Sequence, residues 1–262
     1  MSSVWLNGEF LQSDALSFSA FDHPLLRGDG VFESTRTEGT QIFFLQRHLA
    51  RLARSAQLLE MECPDLDELA RSAQAVVNNS GDHESGSLRI TIFSNGDQLI
   101  THRSSANVGQ PPRLAIYPEL QYSQSRIQTA KSLSYARSAA ALRWAAKAGA
   151  DEVIFVNESG FAMETALANF VIEIAGELVT PRLDNGGLRG ITRSLALEWF
   201  PAIAVRDITL AELESASGIL VLSGVRFIRP ASSLNGRMLQ SSVGMRTIAS
   251  EFELRARANP NY

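Results

Sequence analysis

Residues 129–170 read TAKSLSYARSAAALRWAAKAGADEVIFVNESGFAMETALANF, and the order of elements within this stretch decides the fold. Its alanine-rich centre predicts a helix over 137–148, closed by Gly149, since alanine favours helix and glycine ends it. DEVIFV then predicts a strand, residues 158–160 a turn, and FAMET a second strand. The continuation NFVIEIAGELVTP repeats the pattern as a hairpin about Gly176. Short hairpins interleaved with helices imply an α+β chain rather than a regular doubly wound sheet.

The same reading extends outward in both directions. Asn7-Gly8 predicts a tight hairpin turn, because that pair supplies positive backbone angles cheaply. Leu49, Leu52, Ala53, Leu58 and Leu59 recur near helical spacing over 47–61, and a Pro-Asp start predicts a further helix over 65–79. SLRITIF and RLAIYP read as strands. Residues 121–126 are polar and form the expected linker between a small N-terminal α/β domain, 1–120, and a larger domain, 127–262. Further on come a helix opening at Gly190-Ile191-Thr192, a strand at 203–206, a short helix through Leu213, the strand GILVLS and a C-terminal helix. No internal repeat or low-complexity segment interrupts the series.

Both lysines of the chain, Lys131 and Lys147, lie in the opening stretch, against 22 arginines over the whole chain. Arginine supplies surface charge equally well but cannot shed its proton at working pH, whereas a partly desolvated lysine can become a nucleophilic amine. Lys147 sits near a helix C-terminus, an ordinary place for a cation. Lys131 has no such explanation and is the candidate for chemistry.

Bulk composition narrows the remaining classes. A 262-residue chain that is 45% hydrophobic can bury a sizeable core. A net charge of −4 gives no field for nucleic acid. No apolar run has the length of a membrane span, and the N-terminus reads as neither leader nor anchor, so the expected location is cytoplasmic. Cys63 is single, which excludes an internal disulfide, and is expected to be an inert thiol. His23, His48, His83 and His102 lack metal-ligand spacing; no metal is expected, and each histidine is read as solvated or capping.

A lysine that works through an imine with an aldehyde cofactor needs a phosphate cradle, an acid for the pyridine nitrogen and a hydroxyl or aromatic near the ring. Tyr135, four residues after Lys131, is a candidate for the last, with a half-buried core tyrosine as the alternative. Glu164 is delivered at the end of an apolar strand, where a charge demands a partner and a protonated pyridine would serve. GGLRGITRS places glycines before a helix start, whose N–H groups, with the Thr192 hydroxyl, suit a phosphate.

Five ordered motifs together resemble the fold-type IV pyridoxal-phosphate enzymes, the class IV aminotransferase family, across nearly the whole chain. RGDGVFESTR and RHLARLARSAQLL resemble the N-terminal signature, which implies that Arg51 binds the cofactor phosphate. AKSLSYA resembles the Schiff-base segment, implying Lys131 as the attached lysine and Tyr135 at the ring oxygen. GADEVIFVNESGFAMETALANFVI resembles the stretch that carries the glutamate for the ring nitrogen, here Glu164, with Asn169 in the frequent Asn-Phe pair. LRGITRS resembles the phosphate loop, with Gly190, Ile191 and Thr192. LSGVRFIRP resembles a later phosphate turn, here Gly224 and Val225. The implied fold has a small N-terminal domain and a larger one with a mixed, barrel-like sheet. The implied cofactor is pyridoxal 5'-phosphate, and the implied assembly is a homodimer acting on a small-molecule substrate.

Some positions depart from the family pattern. Arg27 stands where an aromatic often precedes GDG, and Val225 replaces a small hydroxyl residue, leaving the backbone alone to reach the phosphate. IFSNGDQLITHRSS lacks the arginine-glycine pattern of enzymes acting on D-amino acids. That absence and the compact length favour a 4-amino-4-deoxychorismate lyase, which releases pyruvate and 4-aminobenzoate for folate synthesis. The alternatives are an aminotransferase for branched-chain or related amino acids and a non-catalytic binding module on the same fold.

Overall fold

In the computed structural model, residues 3–12, 15–19, 21, 23–81, 84–105 and 110–262 are described. The chain forms two compact units. One comprises Met1–Val108, Ala130–Tyr135 and Asn259–Tyr262; the other comprises Gly109–Thr129 and Ala136–Ala258.

The first unit is built on strands β1 (Ser3–Leu6), β2 (Glu9–Leu11), β3 (Gly30–Glu38), β4 (Gln41–Ile42), β5 (Gly86–Phe93) and β6 (Gln98–Ser104). Every pairing between them is antiparallel, in the order β2-β1-β6-β5-β3-β4. Asn7 and Gly8 turn the first hairpin with φ of 49° and 100°, as their types require. Two helices, α1 (Leu45–Leu58) and α2 (Leu66–Asn79), cover one face. Asp65 caps α2 by accepting the Glu68 N–H. Leu49, Leu52 and Ala56 of α1 and Leu69, Ala73 and Val76 of α2 join Leu88, Ile90, Ile92 and Ile100 of the sheet in one buried core.

The second unit carries two five-stranded sheets of mixed direction. Its elements are β7 (Arg113–Ile116), α3 (Arg126–Thr129), α4 (Ala136–Lys147), β8 (Glu152–Val156), β9 (Ala162–Thr165), β10 (Asn169–Ile174), β11 (Glu177–Thr180) and α5 (Ile191–Trp199). They are followed by β12 (Ile203–Val205), α6 (Leu210–Ser215), β13 (Gly218–Ser223), β14 (Phe227–Pro230), β15 (Ser233–Leu234), β16 (Arg237–Met238) and α7 (Val243–Ala258). The sheet orders are β12-β11-β10-β13-β14 and β16-β15-β7-β8-β9. The mixed α+β class is as expected, and the strands divide between two sheets without closing into one barrel among the described residues. Leu114 and Ile154 of one sheet share a core with Phe170, Ile172, Val179 and Ile219 of the other. Ala141 and Ala145 let α4 lie close against Val153 and Phe155.

The histidines correct one expectation. His23 does cap a short helical turn, accepting the Leu25 N–H on Nδ1, but His48 and His102 are fully enclosed. His102 pairs with the Thr37 hydroxyl at 2.7 Å, and His48 with Glu33. Polar partners on facing strands and helices, invisible in spacing alone, make burial tolerable. His83 lies outside the described residues.

Candidate active site

In the first unit, Ala130–Tyr135 runs along the start of β3. The Phe32 N–H donates to the Lys131 carbonyl at 2.9 Å, the Leu133 N–H donates to the Gly30 carbonyl at 2.8 Å, and the Lys131 N–H donates to the Ser55 hydroxyl at 3.1 Å. Close approach explains Gly30, since a Cβ there would lie 2.6 Å from the Ile92 oxygen and 2.9 Å from Leu133 Cδ1.

Phe32 is the hub around which the side chains gather. Lys131 Nζ lies 4.5 Å from its ring centroid, Arg89 Cζ stacks at 3.7 Å, and the Tyr135 ring meets it edge-on at 5.9 Å. Tyr135 is 38% exposed, so it is not a core tyrosine. Arg89 forms no hydrogen bond or ion pair with any described residue, and burial pushes its pKa down. A guanidinium held on an aromatic face without a carboxylate is poised to receive an anion. Arg103 follows on the same face of the sheet, because Arg89 is opposite Thr101 and Ser87 is opposite Arg103.

Behind this group lies a buried charge network. Glu33, 1% exposed, accepts from Arg51 Nε on one oxygen and from Arg51 Nη2 and His48 Nδ1 on the other, each at 2.7 Å. Burial alone would raise the Glu33 pKa, but Arg51 and His48 overcome it and hold the carboxyl at about 2. Burial pushes His48 down despite Glu33, so its ring is neutral and carries its proton on Nδ1, facing a carboxylate that can only accept. His48, Arg51 and Ser55 share one face of α1 at spacings of three and four residues, so a single helix supports both the Glu33 network and the Lys131 backbone.

In the second unit, Glu164 of β9 is 8% exposed, and its Oε2 accepts the Leu188 N–H at 2.8 Å. Its Oε1 lies 3.8 Å from Arg137 Nη2, and the Arg137 guanidinium in turn stacks on Phe155 at 4.6 Å. Asn169 Nδ2 donates to the Leu188 carbonyl at 3.0 Å. Glu164 and Asn169 therefore hold the same residue, Leu188, by its amide and its carbonyl, just before α5. Gly190 is the helix N-cap and uses no side chain; a Cβ there would collide with Asn169 Oδ1. The first α5 bond runs from Ser194 N–H to Gly190 O, leaving the N–H groups of Ile191, Thr192 and Arg193 without intrahelical acceptors. Thr192 Oγ1 donates to the Ser223 carbonyl at 2.9 Å, tying the start of α5 to the turn that carries Gly224 and Val225.

The residues named from sequence thus fall into two groups. Arg51, Lys131 and Tyr135 lie in the first unit; Glu164, Asn169, Gly190, Ile191, Thr192, Gly224 and Val225 lie in the second. Lys147 is exposed in the last turn of α4, and Arg27 is exposed ahead of Gly28. Sequence reading passed over Phe32, Glu33, Ser55, Arg89, Arg137 and Arg193. A charged residue inside an apolar strand, as in VFEST and SLRIT, was the available signal for Glu33 and Arg89.

Residues 30–234 match the family model described as amino-transferase class IV. The chain is 28% identical over 267 residues to a bifunctional aminodeoxychorismate lyase / D-amino acid transaminase of Mycobacterium tuberculosis, covering 90% of this chain and 92% of that protein. It is 29% identical over 263 residues to a putative branched-chain-amino-acid aminotransferase of Methanocaldococcus jannaschii, covering 91% and 90%. Among solved structures, a hypothetical aminotransferase from Mycobacterium tuberculosis in its PLP-bound form superposes with a TM-score of 0.87 at 25% identity, over 98% of this chain and 99% of that one.

Proposed function

This chain belongs to the amino-transferase class IV family, and from that premise we propose that it is a pyridoxal-phosphate-dependent 4-amino-4-deoxychorismate lyase, releasing pyruvate and the folate precursor 4-aminobenzoate. The observation that carries the lyase reading is Arg89, a guanidinium without an ion pair among the described residues, stacked on the ring that also holds Lys131 Nζ, with Arg103 beyond it on the same sheet face. Aminodeoxychorismate has two carboxylates, one on its ring and one on its enolpyruvyl arm. Two successive arginines suit such a substrate better than an aliphatic amino acid, whose side chain offers nothing to a second cation.

The residues present fit the cofactor. Lys131 supplies the amine for its aldehyde. The cradle around Gly190 excludes any Cβ, and the N–H groups opening α5 provide the donors that a phosphate dianion needs. Arg51, oriented by Glu33, would supply a guanidinium for a phosphate, and the Gly224-Val225 turn would supply backbone donors. Tyr135, exposed beside Phe32, supplies a hydroxyl for the ring oxygen. Glu164 supplies a carboxylate for the ring nitrogen, and its clasp on Leu188 fixes its direction.

When bound, pyridoxal phosphate supplies an electron sink that acidifies the carbon next to the substrate nitrogen. The chain's own residues do the rest. Lys131 Nζ would be the base that takes the proton from that carbon; the enolpyruvyl group leaves with the C–O bonding pair as the ring becomes aromatic, and the proton goes to this leaving group rather than back to the carbon. Arg89 fixes a carboxylate so that the carbon faces the amine. Glu164 would present its carboxylate to the pyridine nitrogen and favour the protonated form there.

Incubating the purified enzyme with aminodeoxychorismate, without any keto acid, should yield 4-aminobenzoate and pyruvate in equal amounts. The name of the Methanocaldococcus jannaschii relative favours a second reading, a branched-chain aminotransferase. Turnover of leucine with 2-oxoglutarate, and none of aminodeoxychorismate, would replace the first reading by the second. We further propose a cytoplasmic homodimer; no helix among the described residues is long and apolar enough to cross a membrane.

A further inference from the structure

Arg193 is a buried cation with no counter-ion among the described residues. It lies in the first turn of α5, three residues after the Gly190 cap, and is 6% exposed. Its Nε donates to Thr180 Oγ1 at 3.2 Å and its Nη2 to the Pro181 carbonyl at 2.8 Å. The Thr180 hydroxyl in turn donates a hydrogen bond to the Phe170 carbonyl at 2.8 Å, so the guanidinium is anchored on the backbone of β10 and the end of β11. Both acceptors are neutral, and no described carboxylate lies within ion-pair distance.

A buried guanidinium solvated by two dipoles is costly unless an anion offsets it. The nearest place built for an anion is the start of the same helix. There the N–H groups of Ile191, Thr192 and Arg193 itself have no intrahelical acceptors, and the helix adds the positive end of its dipole. The backbone of Arg193 lies three residues, about 4.5 Å of helical rise, from Gly190, within the first turn where the helix dipole acts.

We propose that Arg193 is a positioning residue for the cofactor phosphate, fixing the start of α5 against β11 and holding an uncompensated positive charge behind the donors that meet the dianion. The inference rests on the assignment of the α5 start to the phosphate. The charge acts through the helix N-terminus and touches no part of the ligand.

The test compares two ligands on apoprotein prepared from the holoenzyme: pyridoxal phosphate, and pyridoxal, which has the same ring and aldehyde but no phosphate. Arg193→Met should weaken binding of pyridoxal phosphate roughly tenfold while leaving pyridoxal within about twofold, and Arg193→Lys should recover most of the difference. Equal loss for both ligands, or no loss for the phosphate form, overturns the proposal. Arg193→Gln, which keeps a donor toward Pro181, is the second variant and faces the same comparison. If neither neutral variant folds, the role is structural and the proposal fails.

Ile191→Pro separates this inference from the assignment beneath it. Proline is compatible with the first helical position after the extended Gly190, at φ −66° and ψ 134°, and removes one N–H donor. If Ile191→Pro loses the preference for the phosphate form and the Arg193 variants keep it, the Arg193 inference alone is wrong. If Ile191→Pro keeps it as well, the phosphate lies elsewhere.

Discussion

The carboxylate of Glu33 meets the guanidinium of Arg51 edge to edge, with both N···O distances at 2.7 Å, and neither group is open to bulk water. The Glu33 carboxyl is held at about 2, below its unfolded value, so its contribution is complete above the unfolded pKa and is lost as pH falls through the folded one. The shift corresponds to about 3 kcal/mol of stability at neutral pH, disappearing between roughly pH 5 and pH 2. Glu33→Gln should therefore flatten the acid limb of a stability-versus-pH curve measured by denaturant unfolding. It should also cost about 3–5 kcal/mol at neutral pH, because Arg51 would keep a buried charge without its partner.

Lys131→Ala should abolish turnover and remove the site at which borohydride fixes the cofactor to the protein. Peptide mapping of the reduced wild-type enzyme should place the label on Lys131. A label on Lys147, exposed at the far end of α4, would overturn the assignment.

Glu164→Gln should leave the cofactor bound and attached to lysine while removing most of the rate, because an amide cannot stabilise a protonated pyridine nitrogen as a carboxylate does. The visible absorbance of the bound cofactor should be retained in the variant. Near-normal turnover with a changed substrate affinity would place Glu164 on the substrate side.

Arg89→Leu should raise KM for aminodeoxychorismate by about ten- to a hundredfold, the usual cost of one charge-assisted contact. Affinity for pyridoxal phosphate should change little, as measured by cofactor titration of the apoprotein. An unchanged KM would remove Arg89 from substrate recognition and with it the main support for a dicarboxylate.

Local signals in the sequence were strong where one force acted alone. The Asn7-Gly8 turn, the Asp65 cap and the paired Ala175 and Gly176, with φ of 49° and 84°, needed nothing beyond neighbouring residues. Strand β3 was harder to read, because nearly all of GVFESTRTE is buried, including Glu33 and Arg36, and alternation between faces is lost. For the same reason His48 was legible as a helical residue but not as a partner of Glu33, fifteen positions away on a strand. The motifs singled out Lys131, Glu164 and the α5 start from local sequence alone. The stacking of Arg89 on Phe32 exists only through the pairing of β3 with β5, where Phe32 is opposite Thr91 and Ser34 opposite Arg89.

The main chain at Lys131 is tethered on both sides, its carbonyl to the Phe32 amide and its amide to the Ser55 hydroxyl. All travel available to the amine therefore lies in its side-chain torsions, with the α-carbon as a fixed pivot. Such an arm can leave one bonding partner and return to it by rotamer changes alone, on the nanosecond scale of side-chain motion. Loosening the pivot, by replacing Ser55 with alanine for instance, would widen the volume the amine explores without altering its chemistry. Under the proposed function, the lysine would then spend less of its time where it can take the substrate proton.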